Sequence, residues 1–176
     1  MKNLKQFEIP FIGLKDGNHI FEYQIDKKFF NIFQFDEFDD ANLKAVVNFL
    51  KKSTMMEINF NITGTVNVPC DVTNESFDLE IEGNLPLIVQ FGHEYNDDNE
   101  EILILPQEAY QMNIAQYIYE LVILSTPTKR VHPQVLDGTM ESETLKKLEE
   151  LKIIKEKTVD KEKATDPRWD KLKDLI

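Results

Sequence analysis

The sequence predicts an α+β fold: a mainly antiparallel β-sheet body with one principal helix and a helical C-terminal arm. Three observations predict it. Ile58, Phe60, Ile62, Val66 and Val68 fall on alternate positions of 57–68, the two-residue period of a strand with one buried face. Ile114, Tyr117, Ile118, Leu121 and Val122 recur at the spacing of an amphipathic helix. Beyond His132 the aromatic residues almost vanish and Lys and Glu crowd in, which divides the chain into a body, 1–132, and a charged arm, 133–176.

Taken in order, 7–12 and 19–25 read as strands around an Asp16-Gly17 turn. Residues 26–33 read as one short helix, with Asp26 as cap and Phe29, Phe30 and Phe33 on one side. The stretch 43–50 fits either period: Leu43, Val46, Val47 and Leu50 suit a helix, whereas Leu43, Ala45, Val47 and Phe49 suit a strand. We lean to the strand. Phe77, Leu79 and Ile81 alternate with acidic residues beyond the polar loop 69–76, which suggests an antiparallel pair with 57–68. Residues 85–91 and 101–105 give two more strands, separated by the acidic loop 92–100.

Asn113 and Gln116 make a capping-box-like start for the principal helix, and Pro127 stops it. In the arm, Leu145, Leu148, Leu151 and Ile154 mark a thin amphipathic helix, and 155–165 read as a charged linker. Asp166 as N-cap and Pro167 at the first helical position then start a last short helix, with Trp169, Leu172 and Ile176 on one face. Two turns are too short to stand alone. The only tryptophan of the chain therefore needs a docking place, either a partner's groove or the protein's own sheet.

Charge narrows the function classes. The net charge is −12, and the body holds 10 basic against 21 acidic side chains. Between Lys52 and Lys129 there is no Lys or Arg, while thirteen Asp and Glu fall in that interval. Such a body repels phosphate backbones, whose non-specific affinity comes from cationic side chains, and attracts a basic partner. The bland reading is that acidity keeps the protein soluble. No apolar run approaches the roughly 20 residues of a membrane helix, and the N-terminus does not lead into a signal-peptide segment. The single Cys70 forms no internal disulfide, which fits a cytoplasmic location.

The residues give no support for catalysis or for a cofactor. His19, His93 and His132 lie in separate regions, and a His-His-Cys metal site would have to be assembled by folding. No phosphate-cradling glycine loop and no recognisable nucleophile setting occurs.

The ending Asp166-Pro167-Arg168-Trp169, then Lys171-Leu172 and Leu175, resembles the C-terminal signature of the YceD-like family, described as large ribosomal RNA subunit accumulation proteins. The helix 113–124 running into Ser125-Thr126-Pro127 is similar to the family segment that leads to a Leu-x-x-Pro stop, and Gly64-Thr65-Val66 followed by Cys70 resembles its central strand entering a cysteine turn. The likeness covers most of 43–176 in order. It implies a bacterial cytoplasmic factor needed for normal 23S rRNA levels, with no established enzymatic activity. One departure is clear: many members carry Cys-x-x-Cys in that turn, whereas Thr73 stands at the second cysteine's place here. A zinc or redox role of the pair does not carry over.

The expectation is a non-enzymatic ribosome-biogenesis factor whose acidic body binds a basic ribosomal protein or ribosome assembly factor. The rRNA would be reached indirectly or through the C-terminal arm, with no membrane, metal or cofactor involved. Lys129, Arg130, His132, Asp166, Pro167, Arg168 and Trp169 are the candidate binding residues, since Arg pairs with phosphate and Trp stacks on bases. The alternatives are a metal-dependent hydrolase using Cys70 and the histidines, or a purely structural adaptor.

Overall fold

The computed structural model describes residues 2–99 and 101–159, in two units, Met1–His132 and Pro133–Ile176. Along the first unit run β1 (Glu8–Ile9), β2 (Gly17–Asp26), α1 (Lys27–Ile32), β3 (Asp40–Lys51), β4 (Met55–Pro69), β5 (Ser76–Gly92), β6 (Asn96–Asn99), β7 (Ile102–Pro106), β8 (Met112–Asn113) and α2 (Ala115–Ser125). Six strands form one sheet in the order β2-β3-β4-β5-β7-β6, and β1 pairs with β8 in a separate two-stranded ribbon. The fold is α+β.

The alternation that marked 57–68 is the central strand. Met56, Ile58, Phe60, Ile62, Val66 and Val68 of β4 are all buried, and they meet Val47 and Phe49 of β3 and Leu87 and Val89 of β5 on the same face. Burying each such side chain contributes about 1.5–3 kcal/mol. The helix α2 lies on this face over β5 and β4, burying Ile118, Leu121 and Val122. The stretch 43–50 is strand, within β3.

Close approach of α2 depends on Gly83. A Cβ there would stand 2.1 Å from Ser125 Oγ and 3.1 Å from Leu121 Cδ1. Gly64 has a different reason. Its φ is +145°, and a Cβ would fall 2.3 Å from the Asn42 carbonyl oxygen of β3, where the obstacle is backbone and cannot rotate away.

The first helix is capped as its sequence suggests: Asp26 accepts from Phe29 N–H at 3.3 Å. Phe30 and Phe33 carry it onto α2, where the Phe33 and Tyr119 rings stack at 4.4 Å.

Several expectations are corrected. Residues 7–12 are not a strand. Lys2–Phe7 and Phe11–Gly13 are 3-10 turns flanking the two-residue β1, because Pro10 has no N–H to continue a ladder. Residues 77–81 and 85–91 are not two strands but one, β5, seventeen residues long. Pro86 is tolerated there because β7 joins β5 only from Ile88 onward, which leaves Pro86 beside an edge with no ladder to break. Part of the loop 92–100 is β6, and β7 pairs with β5 in parallel while β6 returns outside it. Asn113 Oδ1 accepts from Ala115 N–H at 2.9 Å just before α2, but Ile114 holds the cap position and Gln116 donates to Glu120 instead of reaching back.

In the second unit, α3 (Pro133–Leu136) was not anticipated from the sequence. The amphipathic stretch is α4 (Glu143–Val159), which takes in residues 155–159 of the expected linker. Ser142 Oγ accepts from Thr144 N–H at 3.2 Å at its start. The expected last helix, with Asp166, Pro167, Arg168 and Trp169, lies outside the described residues.

Replacing Gly64 with Ala is expected to cost about 2–4 kcal/mol, because both the left-handed φ and the Asn42 carbonyl oppose it. Urea unfolding with an unchanged slope and a lowered midpoint is the readout. Gly83→Ala should cost less, about 1–2 kcal/mol, with part of the loss recovered in Gly83→Ala/Ser125→Gly.

Candidate functional site

After Pro69 the chain reverses through 70–75 before β5 begins. Cys70 N–H donates to the Glu75 carbonyl at 2.9 Å, and Asn74 N–H donates to the Cys70 carbonyl at 2.8 Å. Asn74 supplies the left-handed residue of the turn, at φ 59°, a conformation Asn tolerates better than most.

The segment after α2 is clasped onto this turn. Asp71 N–H donates to the Arg130 carbonyl at 2.8 Å, and the Asp71 carboxylate accepts from Arg130 N–H at 2.6 Å. His132 N–H donates to Cys70 Sγ at 3.3 Å, while the His132 ring meets Phe77 edge-on at 5.1 Å. The Arg130 guanidinium pairs with Glu37 at 3.0 Å. Of the expected binding residues, the structure thus gathers Arg130 and His132 at the cysteine turn and leaves Lys129 exposed. Asp71 and Glu37 escaped sequence reasoning, because they lie 59 and 93 residues from Arg130.

Cys70 is buried, 2% exposed. Burial pushes its thiol up, but the His132 N–H, the Thr73 hydroxyl and the backbone N–H groups of Thr73 and Val72 together outweigh it and bring the thiol down to about 7. Thr73, at the position of the second cysteine in the resembled motif, thus serves as a hydrogen-bond donor to the first.

The arrangement does not build a His-His-Cys site. His19 pairs with Phe49, which pairs with Ile58. Cys70 lies twelve residues beyond Ile58, just past the end of β4, roughly 35–40 Å of strand at about 3.3 Å per residue. His93 follows the Gly92 end of β5, also remote from Cys70, which adjoins the Ser76 end. Among the described residues no group of three or more His, Cys, Asp or Glu is placed to hold a metal ion.

The second face of the sheet is largely polar, with Ile20, Val46, Leu50 and Ile88 toward one end, and no element among the described residues of the first unit covers it. Asn42, Asn48, Asn59, Asn61, Asn67 and Asn84 share it with Glu22, Glu57, Asp78, Glu80 and Glu82. Asn84 Nδ2 donates to Asn61 at 2.8 Å, and Asn67 Nδ2 donates to Asp78 at 2.6 Å. The cations nearby are already engaged. Lys44 pairs with Glu22 at 2.9 Å, and Lys52 pairs with Glu57. Lys51 donates to the Phe11 and Leu14 carbonyls at 2.9 and 2.7 Å, and Lys27 donates to the Asp39 carbonyl at 2.7 Å. The body's excess of carboxylates is therefore presented outward, with half its basic side chains tied into the fold.

The profile of the large ribosomal RNA subunit accumulation protein YceD matches residues 58–176, about two thirds of the chain. The chain belongs to the YceD family. The match begins within β4 and takes in the cysteine turn, α2 and the Asp-Pro-Arg-Trp ending, whereas β1, β2, α1 and β3 precede it. No curated protein and no solved structure gives a significant match. No helix among the described residues is long and apolar enough to cross a membrane.

The thiol shift carries a sign. A folded-state value depressed to about 7 from an ordinary 9 stabilises the fold fully above the unfolded value and loses that contribution as pH falls through 7. Stability of the wild type relative to Cys70→Ser should therefore rise between pH 7 and 9, as read by urea midpoints. A Thr73→Val chain, lacking the hydroxyl donor, should show a smaller rise.

Proposed function

We propose that this YceD-family protein is a non-enzymatic factor in biogenesis of the large ribosomal subunit, supporting 23S rRNA accumulation from the cytoplasm. Its acidic body binds a basic ribosomal protein or an assembly factor and so protects the rRNA or aids its processing. Family membership supports the ribosomal role. One observation carries the choice of a protein partner over RNA: the stretch from Lys52 to Lys129 has no cation to neutralise phosphate, and Lys27, Lys44, Lys51 and Lys52 are occupied within the fold. Oppositely charged surfaces speed encounter and exclude wrong partners. Contact with rRNA is indirect, or runs through Lys129 and, in the arm, Arg168 and Trp169.

Depletion should lower 23S relative to 16S rRNA. Capture of a basic ribosomal or assembly protein on the full chain should survive ribonuclease and weaken as salt rises, because exposed charge pairs are screened within about 3 Å at 1 M. Capture abolished by ribonuclease, with tight and steeply salt-dependent binding to free rRNA, would overturn the partner assignment.

A further inference from the structure

Between α2 and the β5–β7 end of the sheet lies a groove of about 830 Å³. Its apolar lining is mostly leucine, with Phe33, Met112 and Ala115 beside it. Leu85, Leu103 and Leu105 come from the sheet and Leu121 and Leu124 from the helix; Leu103, Leu105 and Leu121 are buried, so Leu85 and Leu124 are the more accessible ones. Leu124 is 82% exposed, an unusual place for a large apolar side chain on the principal helix. The polar margin is entirely acidic or neutral. Asp97 and Glu120 line it, and among the described residues no Lys, Arg or His does.

Tyr95 and Tyr117 tie the β5–β6 turn to the helix. The Tyr117 hydroxyl lies beside that of Tyr95, which donates to the Asp97 carboxylate at 2.9 Å. The Tyr117 ring in turn stacks on Phe60 of β4 at 5.8 Å. Asp97 is thus held at the rim by a chain of contacts rooted in the core. The other carboxylate is oriented as well, since Gln116 donates to Glu120 at 2.8 Å.

We propose that this groove is the docking site for a basic, amphipathic segment of a partner protein, the apolar edge entering between Leu124 and the sheet leucines and its Lys or Arg residues meeting Asp97 and Glu120. The assignment rests on the protein-partner reading above and names the surface that serves it. Charge decides the class of occupant: a leucine floor with an anionic rim opposes a phosphate chain and suits a cationic peptide. The open sheet face is also acidic, and its apolar side chains Ile20, Val46, Leu50 and Ile88 lie on a single sheet surface, whereas the groove sets leucines of a helix opposite those of the sheet.

The test uses the full-length, isotope-labelled protein and a synthetic helical peptide of about 18 residues made of Leu and Lys alone, long enough to form a helix when bound. Amide shifts should concentrate at Leu85, Leu103, Tyr117 and Leu124 and spare Asn59 and Glu80. Leu124→Arg and the pair Asp97→Lys/Glu120→Lys should each weaken the peptide about ten-fold or more with unchanged melting temperature, whereas Glu80→Lys/Glu82→Lys should leave it within about three-fold. An all-Lys peptide binding equally well, shifts confined to the open sheet face, or a single-stranded RNA oligonucleotide displacing the peptide would each overturn the proposal. So would tighter peptide binding by Trp169→Ala, which would make the chain's own C-terminus the occupant.

Two further results separate this proposal from the reading it rests on. If depletion lowers 23S rRNA yet both groove variants restore it fully, the groove is refuted and the ribosomal role stands. If depletion leaves 23S rRNA unchanged while the peptide behaves as expected, the ribosomal role falls and the groove stands.

Discussion

The structure hangs on β4, a strand paired along its length with β3 on one edge and β5 on the other. Side chains on a strand alternate between faces, so burying Met56 through Val68 on one side dictates everything on the other. The same register that puts Phe60 under Tyr117 puts Asn59 and Asn61 into solvent. It also fixes the two ends. At Pro69 the chain must turn, and that turn holds Cys70; near Met55 it meets the far end of β5, beyond which the chain continues into β6 and β7.

How legible this was depends on whether a feature is local. The period-two stretch 57–68 reads directly because its burial is decided strand by strand, and the Asp26 cap reads because its acceptor and donor are three residues apart. The continuous β5 did not read, since Gly83 and Pro86 look like breaks until α2 and the late arrival of β7 are known. The parallel pairing of β5 with β7 was invisible for a related reason. Alternation tells a strand which face to bury, never which neighbour it takes or in which direction. Likewise Arg130 looked like a free cation, and its carboxylate partners lay far away in sequence.

The candidate site divides in the same manner. The cysteine turn was visible through its residues, but the role of Thr73 was not. It reads as a lost ligand in the sequence and acts as a donor to Cys70 in the fold. The acidic character was visible from composition alone. What the fold adds is that Lys27, Lys44, Lys51 and Lys52 are spent on carbonyls and carboxylates of the same chain, so the surface stays anionic, and that one acidic region coincides with an exposed leucine and a groove. Membership of the YceD family connects the chain with large ribosomal RNA subunit accumulation.

In the proposed role the acidic body meets large-subunit material through its basic proteins and not through bare RNA. The most direct measurement compares binding of the full-length protein to 23S rRNA stripped of protein with binding to the same RNA carrying its early ribosomal proteins, at one salt concentration. Binding to the protein-bearing particle at least about ten-fold tighter than to stripped RNA is the expected result. Equal affinity for both would contradict it.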